Sequence, residues 1–300
     1  MKTHPTTSTA SNCLSPPLGR AALLLLFVAV VSSGCSGLPD GSGETGRGAP
    51  PALVADAEGA MAALTASPRH GEWIDVPLDG GDSVRCWIVF PERSDRAPVV
   101  IVIHEIMGLS DWIRAVADGL AAEGAIAIAP DLLSGKGPAG GGSESFAGDQ
   151  VRSAIRGLDP SEVIARLDAA RAYAQALPAA GTASVCMGFC WGGRTTFAYA
   201  TAQPDLDGAL VYYGTAPSEE TLSSIACPVL GFYGGDDARV TSTVAGTTTA
   251  MQSKGKDYTP HIFAGAGHGF LRQQQARDGA NLEAADKAWA ESIRFLRGIR

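Results

Sequence analysis

Short apolar runs alternate with segments of helical periodicity along most of the chain. The apolar runs are rich in β-branched residues and are continuous, which is typical of strands covered on both faces of a parallel sheet. They occupy residues 84–90, 99–103, 125–129, 183–187, 209–213 and 229–233, with an earlier run at 73–78 that suits an edge strand and a late one at 258–263. This pattern predicts a sheet of mostly parallel strands.

Helical segments are predicted between these strands. Asp159, Pro160 and Glu162 indicate a helix start, with an acidic cap, a proline in the first position and a glutamate three residues after the cap. Further helices are predicted at residues 110–123, closed by Gly124, and at 191–202 and 282–296. The alternation predicts the α/β class, a doubly wound and mostly parallel sheet with helices on both faces. Sites in such sheets lie beyond the carboxyl ends of the strands.

The first 34 residues have the pattern of a signal peptide. Lys2 and Arg20 are basic, and residues 21–31 form an apolar run that is followed by small residues. That run is too short to span a bilayer, which takes about 20 residues. Cys35 stands where a bacterial lipoprotein is processed and lipidated, which predicts an exported protein anchored at the membrane surface, or a periplasmic one. The alternative is an ordinary signal peptide followed by an incidental cysteine.

Composition and charge narrow the possible partners and domains. The 300 residues are 45% hydrophobic and 18% charged, which is enough for one substantial core. The formal net charge is −8 with no basic cluster in the body, which argues against a nucleic-acid partner. Residues 1–34 are therefore interpreted as the signal peptide, 35–69 as a tether and lead-in segment, and 70–300 as a single α/β domain.

Residues 188–193, with the sequence GFCWGG, have the pattern of a nucleophile elbow between a strand and a helix. Gly188 and Gly192 leave the space that such a turn requires, and the raised residue is Cys190. A helix N-terminus or an imidazole lowers the pKa of a thiol, which makes it nucleophilic. The cysteines at 86, 186 and 227 lie in apolar runs and are interpreted as buried free thiols.

A base and an acid follow the elbow along the chain. His268 lies in a glycine-rich loop after the last predicted strand, where a catalytic imidazole has room to reach a nucleophile. Asp236 and Asp237 follow the strand at residues 229–233, and either carboxylate suits the role of orienting the imidazole. A solvated turn is the alternative for this Gly-Asp segment. The order is nucleophile, acid and base.

Over residues 73–296 the chain resembles the dienelactone hydrolase family of the α/β-hydrolases. The matching motifs are residues 104–109 (HEIMGL), 129–132 (APDL), the Cys190 elbow, 234–237 (GGDD) and 265–270 (GAGHGF). The resemblance implies the α/β-hydrolase fold and favours Asp237 over Asp236. It also implies that Glu105 hydrogen-bonds the resting thiol and controls its ionisation, and that the backbone N–H groups of Ile106 and Trp191 form an oxyanion hole. Glu105 has an alternative role as a cap of the following helix.

The resemblance is weaker where the family's namesake enzyme holds a substrate carboxylate with two arginines. Arg272, four residues after His268, matches one of them, whereas Lys136 is only a displaced substitute for the other. Residues 137–148 are rich in glycine and are interpreted as either a lid or a surface insertion. The pair at 104 and 105 lacks the second histidine of a His-Glu-x-x-His zinc site, so neither metal nor cofactor is expected.

Together these features predict a hydrolase of small-molecule esters or lactones that works through Cys190 and a thioester intermediate. A hydrolase-like envelope lipoprotein that binds a ligand or partner without turnover is the alternative, since one fold hosts many functions. A redox pair between Cys186 and Cys190 is a second alternative. It requires Cys186 to point toward the elbow, whereas its place inside a strand predicts that it points into the core.

Overall fold

The computed structural model describes residues 50–299, and eight strands in this range form one sheet. The strands are β1 (Gly71–Pro77), β2 (Ser83–Val89), β3 (Ala97–Ile103), β4 (Ile126–Pro130), β5 (Ala180–Phe189), β6 (Gly208–Tyr212), β7 (Val229–Gly234) and β8 (Tyr258–Phe263). Their order is β1-β2-β4-β3-β5-β6-β7-β8. Strand β2 is antiparallel to both β1 and β4, and all the other strand pairs are parallel, so the predicted mostly parallel sheet is confirmed.

Helices cover both faces of this sheet, as predicted. They are α1 (Ala60–Ala66), α2 (Asp111–Ala122), α3 (Gln150–Arg156), α4 (Pro160–Gln175), α5 (Trp191–Ala202), α6 (Ala238–Thr241), α7 (Val244–Ser253) and α8 (Ala280–Gly298). Helices α1, α2 and α8 contribute to the core on one face. Helices α4, α5 and α7 contribute to the core on the other face.

Strand β3 shows why the strand sequences are continuously apolar. Val100 and Val102 pack into one core, whereas Ile101 and Ile103 pack into the other. Successive side chains of a strand point to opposite faces, and both faces are buried, so every position must be apolar. The same arrangement makes the carboxyl ends of β3, β5, β6, β7 and β8 converge on one edge, where the loops that carry the site residues begin.

The predicted helix signals lie at the observed helix ends. Asp159 caps α4, and its Oδ1 accepts hydrogen bonds from the backbone N–H groups of Ser161 at 2.9 Å and Glu162 at 3.2 Å. Gly124 follows α2 with φ +94°, a conformation that glycine adopts at little cost. The N-cap at Asp159 and the glycine after α2 both depend only on neighbouring residues. They can therefore be recognised from the sequence without knowledge of the fold.

Four helices that the sequence pattern did not predict are α1, α3, α6 and α7, of which α6 is only four residues long. Helices α1 and α3 are each seven residues long and have no side-chain cap, so their periodicity is too short to recognise. Helix α7 is rich in threonine, and its helical form depends on burial of Ala250 and Met251 in the core. Val54 is also buried, so part of the lead-in segment packs on the domain.

The glycine-rich segment at residues 137–148 is held by a buried carboxylate at the end of β4. Asp131 accepts hydrogen bonds from the backbone N–H of Ser143 at 2.7 Å and from its hydroxyl at 2.6 Å. The same hydroxyl accepts the N–H of Leu109 at 3.0 Å, in the loop between β3 and α2. The middle of the segment is therefore tied to two of the loops at the carboxyl edge.

The predicted signal peptide and Cys35 lie outside the described residues. Within residues 50–299, no helix is both long enough and apolar enough to cross a bilayer.

Candidate active site

Cys190 occupies a sharp turn between β5 and α5. Its backbone has φ 56° and ψ −112°, a conformation that costs a non-glycine residue about 1–3 kcal/mol. A Cβ added at Gly188 would lie 2.3 Å from the carbonyl oxygen of Gly192, and one added at Gly192 would lie 2.3 Å from that of His104. The sequence therefore needs glycine on both sides of the cysteine, and the predicted elbow geometry is present.

His268 and Asp237 lie together in the loops after β8 and β7. Nδ1 of His268 is 2.5 Å from Oδ2 of Asp237, and Asp237 is buried. Asp236 instead is exposed and forms an ion pair of 3.0 Å with Arg277. The tertiary structure thus places Asp237, and not Asp236, beside the imidazole.

The thiol of Cys190 interacts with the same imidazole. Burial lowers the pKa of His268, but its interactions with Cys190 and Asp237 outweigh this effect, so the pKa is raised above its usual value. Since Nδ1 is engaged by Asp237, the interaction with Cys190 falls to Nε2. That atom is buried, and among the described residues it has no hydrogen-bond partner of regular geometry. Contacts of this kind are often loose in a free enzyme and tighten with substrate.

Trp191 and Ile106, the two residues of the predicted oxyanion hole, line one pocket with Cys190. Trp191 is the first residue of α5, so its N–H has no acceptor in the preceding turn. Ile106 lies in the loop after β3. Neither N–H donates a hydrogen bond to another group within residues 50–299. Both N–H groups are therefore unengaged backbone donors of residues that line the pocket of Cys190.

Glu105 pairs with Arg272 and not with the thiol. Its Oε1 atom lies 2.7 Å from Nε of Arg272, in a buried position. Burial raises the pKa of Glu105, and the charges of Arg272, His268 and Arg152 offset part of that increase. The alternative role as a helix cap is wrong, because α2 begins after Ser110.

The two residues expected to hold substrate are both engaged in ion pairs. Arg272 is engaged by Glu105, and Nζ of Lys136 lies 2.8 Å from Oε1 of Glu162. Lys136 lines a different, polar cavity near β2, so the structure does not bring it to Cys190.

The pocket beside Cys190 is open and has a volume of about 560 Å³. Its apolar part is formed by the side chains of Ile106, Trp191, Tyr213 and Val240. Thr215 and three arginines complete the lining, the arginines being Arg156 of α3, Arg194 of α5 and Arg239 of α6. The sequence interpretation missed all three, although Arg194 and Arg239 follow predicted site residues closely and the carboxyl-edge rule applies to them.

Tyr213 is a further residue that the sequence interpretation assigned only to a strand. It follows β6 with φ 41°, and its ring meets that of His268 edge to face at 5.1 Å. Its hydroxyl is buried and has no hydrogen-bond partner among the described residues. Burial and the nearby Glu105 and Cys190 raise its pKa well above the usual value. A neutral phenol therefore forms one wall of the site.

The three other cysteines of the described residues do not line the pocket of Cys190. Cys86, Cys186 and Cys227 are free and buried, as predicted. Cys186 packs in the core on the α4 and α5 side, and burial raises its pKa well above the usual value. Because it points into the core and is not linked to Cys190, the redox-pair alternative is wrong. Within residues 50–299, no group of three or more His, Cys, Asp or Glu side chains is arranged to hold a metal ion.

Two relatives of this chain, from different organisms, have the same name. A protein named "Putative carboxymethylenebutenolidase" from Salmonella typhimurium is 30% identical over 263 residues, covering 82% of this chain and 91% of the relative. One of the same name from Saccharolobus solfataricus is 31% identical, covering 73% and 95% respectively.

The fold agrees with this assignment. The crystal structure titled as a putative dienelactone hydrolase from Klebsiella pneumoniae superimposes with a TM-score of 0.68 at 26% identity, covering 76% of this chain and 98% of that one. The model of the dienelactone hydrolase family matches residues 84–299. The predicted enzyme class and α/β-hydrolase fold are thereby confirmed, and the chain belongs to the dienelactone hydrolase family.

Proposed function

We propose that this hydrolase cleaves carboxylic ester or lactone bonds of small molecules with Cys190 as the nucleophile and a thioester as the intermediate. The observation that carries the proposal is the hydrogen bond between His268 and the buried Asp237, at the sheet edge where Cys190 occupies a sharp turn. His268 interacts with the Cys190 thiol and, through Nδ1 at 2.5 Å, with Asp237. This is the nucleophile, base and orienting acid of a hydrolytic triad.

The first half-reaction transfers the acyl group to sulfur. The thiol proton moves to Nε2 of His268, and the thiolate attacks the ester carbonyl, forming a C–S bond. The negative charge that develops on the carbonyl oxygen is stabilised by the free N–H groups of Ile106 and Trp191. The tetrahedral intermediate then expels the alkoxide, which takes the proton from His268.

The second half-reaction regenerates the enzyme. His268 removes a proton from water, and the resulting hydroxide attacks the thioester. The C–S bond breaks, the acid leaves, and the proton returns to sulfur. Asp237 keeps the imidazole in the tautomer with a proton on Nδ1 and stabilises its charged form. Each step uses only this chain's residues, the substrate and water.

Cys190→Ala and Cys227→Ala form a matched pair for testing this proposal. Cys227 is buried outside the pocket and is free, so its removal deletes a thiol without touching the site. On phenyl acetate, Cys190→Ala is expected to lose at least about 10³-fold in kcat. Cys227→Ala is expected to retain activity. Turnover by Cys190→Ala at the wild-type rate, with the fold intact by circular dichroism, would refute the nucleophile.

We also propose that the protein is exported and anchored by lipid on Cys35. The basic residues, the apolar run at 21–31 and the position of Cys35 support this proposal. Expression in a bacterium with labelled palmitate is expected to label the wild type and to leave Cys35→Ser unlabelled and soluble. Equal labelling of both proteins would contradict the anchor.

A further inference from the structure

We infer that the substrate of this site carries at least two negative charges, as a phosphorylated or dicarboxylate ester, and that Arg156, Arg194 and Arg239 bind them. This inference rests on the proposed function, because the three arginines line the pocket that contains Cys190. They come from three separate helices, α3, α5 and α6, so the fold assembles the cluster and local sequence does not.

The charge of this pocket is not balanced by acids. None of the residues that line it is an aspartate or a glutamate. Within residues 50–299, the side chains of Arg156 and Arg194 have no ion-pair partner. The contact that Arg239 makes is with an imidazole, at 3.5 Å from its Nη2 to Nδ1 of His268. In a protein of net charge −8, a pocket lined by three guanidinium groups and by no acidic side chain is a site for anions.

The contrast with Arg272 strengthens this interpretation. Arg272 is already held by Glu105 at 2.7 Å, so its charge is neutralised before substrate arrives. Guanidinium groups that have no partner remain available for carboxylate or phosphate oxygens, which they bind with two parallel hydrogen bonds. One such group satisfies one carboxylate, so three groups around the same pocket point to more than one negative charge.

The positions of the apolar and the charged residues in the pocket determine the orientation of the substrate. Ile106, Trp191, Tyr213 and Val240 form the apolar part of the pocket next to Cys190, whereas the three arginines are exposed. A compact apolar ester group therefore sits against the sulfur, and the anionic groups reach outward to the arginines. Salt screens exposed charges, so ionic strength is expected to weaken this preference.

A series of aryl acetates with increasing charge tests the inference. The probes are phenyl acetate, acetoxybenzoate with one carboxylate, acetoxyisophthalate with two, and acetoxyphenyl phosphate. The value of kcat/KM is expected to rise about 10-fold per added charge at low salt and to fall with added sodium chloride for the charged probes only. Comparing acetoxyphenyl phosphate with acetoxyisophthalate shows whether the site prefers a phosphate or two carboxylates.

Substitutions assign the preference to residues. Arg156→Gln and Arg194→Gln are each expected to lower the ratio of kcat/KM for acetoxyisophthalate over phenyl acetate by about 10-fold. Arg194→Lys is expected to recover part of the ratio, because the charge remains but the bidentate geometry is lost. Arg294→Gln is the control, since Arg294 is an exposed arginine of α8 paired with Glu291. It is expected to leave the ratio unchanged.

The outcomes separate this inference from the proposed function. Cys190-dependent hydrolysis of phenyl acetate with no gain for either dianionic probe would overturn the anion preference and leave the nucleophile standing. An unchanged ratio in both glutamine variants would also overturn it. If no probe is hydrolysed by a Cys190-dependent reaction, the proposed function fails, and the inference fails with it.

Discussion

Oε1 of Glu105 lies 2.7 Å from Nε of Arg272, and this ion pair leaves Arg272 outside the pocket that contains Cys190. Glu105 is buried, so its carboxylate depends on the arginine for stabilisation. The resemblance to the family suggested that Glu105 serves the thiol and that Arg272 serves the substrate. In this structure the two side chains form an ion pair with each other, and both suggested roles stay predictions.

Removing Arg272 is therefore expected to destabilise the protein through Glu105. Arg272→Leu leaves a buried carboxylate without its counter-charge and is expected to cost about 2 kcal/mol in the free energy of unfolding. A larger loss is not expected, because the Arg272 side chain is 33% exposed. Urea unfolding of Arg272→Leu, Glu105→Gln and the double variant measures the coupling. Additive losses in the double variant would show that the pair is not coupled.

Asp237→Asn is expected to change both the activity and its pH dependence. The substitution removes the carboxylate that raises the pKa of His268, so the pKa falls and the tautomer is no longer fixed. The kcat on phenyl acetate is expected to fall by about 10²-fold or more, and the acidic limb of the pH profile to move to lower pH. Asp236→Asn is the matched control in the same turn, because Asp236 pairs with Arg277 and not with His268.

The same substitution gives a stability test with a defined sign. A histidine whose pKa is raised in the folded state adds stability that is fully present below its unfolded pKa, about 6.5. That contribution is lost as the pH rises through the folded pKa. Wild type is therefore expected to exceed Asp237→Asn in unfolding free energy more at about pH 5.5 than at about pH 9. A difference that grows toward high pH would contradict the raised pKa.

Glycine at position 192 is expected to be irreplaceable. An added Cβ would lie 2.3 Å from the carbonyl oxygens of both Ile103 and His104, which are backbone atoms and cannot move independently. Gly192→Ala is expected to cost more than about 3 kcal/mol or to prevent folding. Gly246→Ala is the control in α7, where the added Cβ meets nothing within 4 Å. It is expected to stabilise the protein by about 0.5–1 kcal/mol in thermal or urea unfolding.

Tyr213→Phe is expected to leave the unfolding free energy unchanged or to raise it by up to about 1 kcal/mol. The hydroxyl is buried without a partner among the described residues, so its removal deletes an unsatisfied group while the ring contacts with His268 remain. Tyr213→Ala is expected to cost about 3–5 kcal/mol, because it opens a cavity in the core. Urea unfolding of both variants measures these changes. A decrease of more than about 1 kcal/mol in the unfolding free energy of Tyr213→Phe would mean that the hydroxyl has a stabilising partner.

The strands and the elbow were predictable because their physical causes are local. Burial on both faces forces continuous apolar runs such as 99–103, and the close backbone contacts at Gly188 and Gly192 exclude any side chain. The choice between Asp236 and Asp237 is different, because both lie in one turn with the same local chemistry. Only the packing of β7 against β8 buries one carboxylate beside His268 and leaves the other exposed.

The arginine pocket was not predictable from local pattern. Arg156 reaches it because α3 follows a glycine-rich segment that Asp131 and Ser143 fix by two hydrogen bonds. The sequence marks this segment only as rich in glycine, and α3 is too short to recognise by periodicity. Similarly, the pairing of Arg272 with Glu105 joins residues that are far apart along the chain. Tertiary contacts of this kind decide which charge faces the substrate.

Intact-protein mass spectrometry after rapid acid quenching tests the central claim most directly. Wild type mixed with an excess of an activated acetate ester is expected to gain one acetyl group that peptide mapping places on Cys190 and that hydroxylamine removes. Cys190→Ser is expected to show no hydroxylamine-sensitive thioester. Hydrolysis at the full rate with no acyl group on Cys190 at any quench time, or with the group on another residue, would contradict the account.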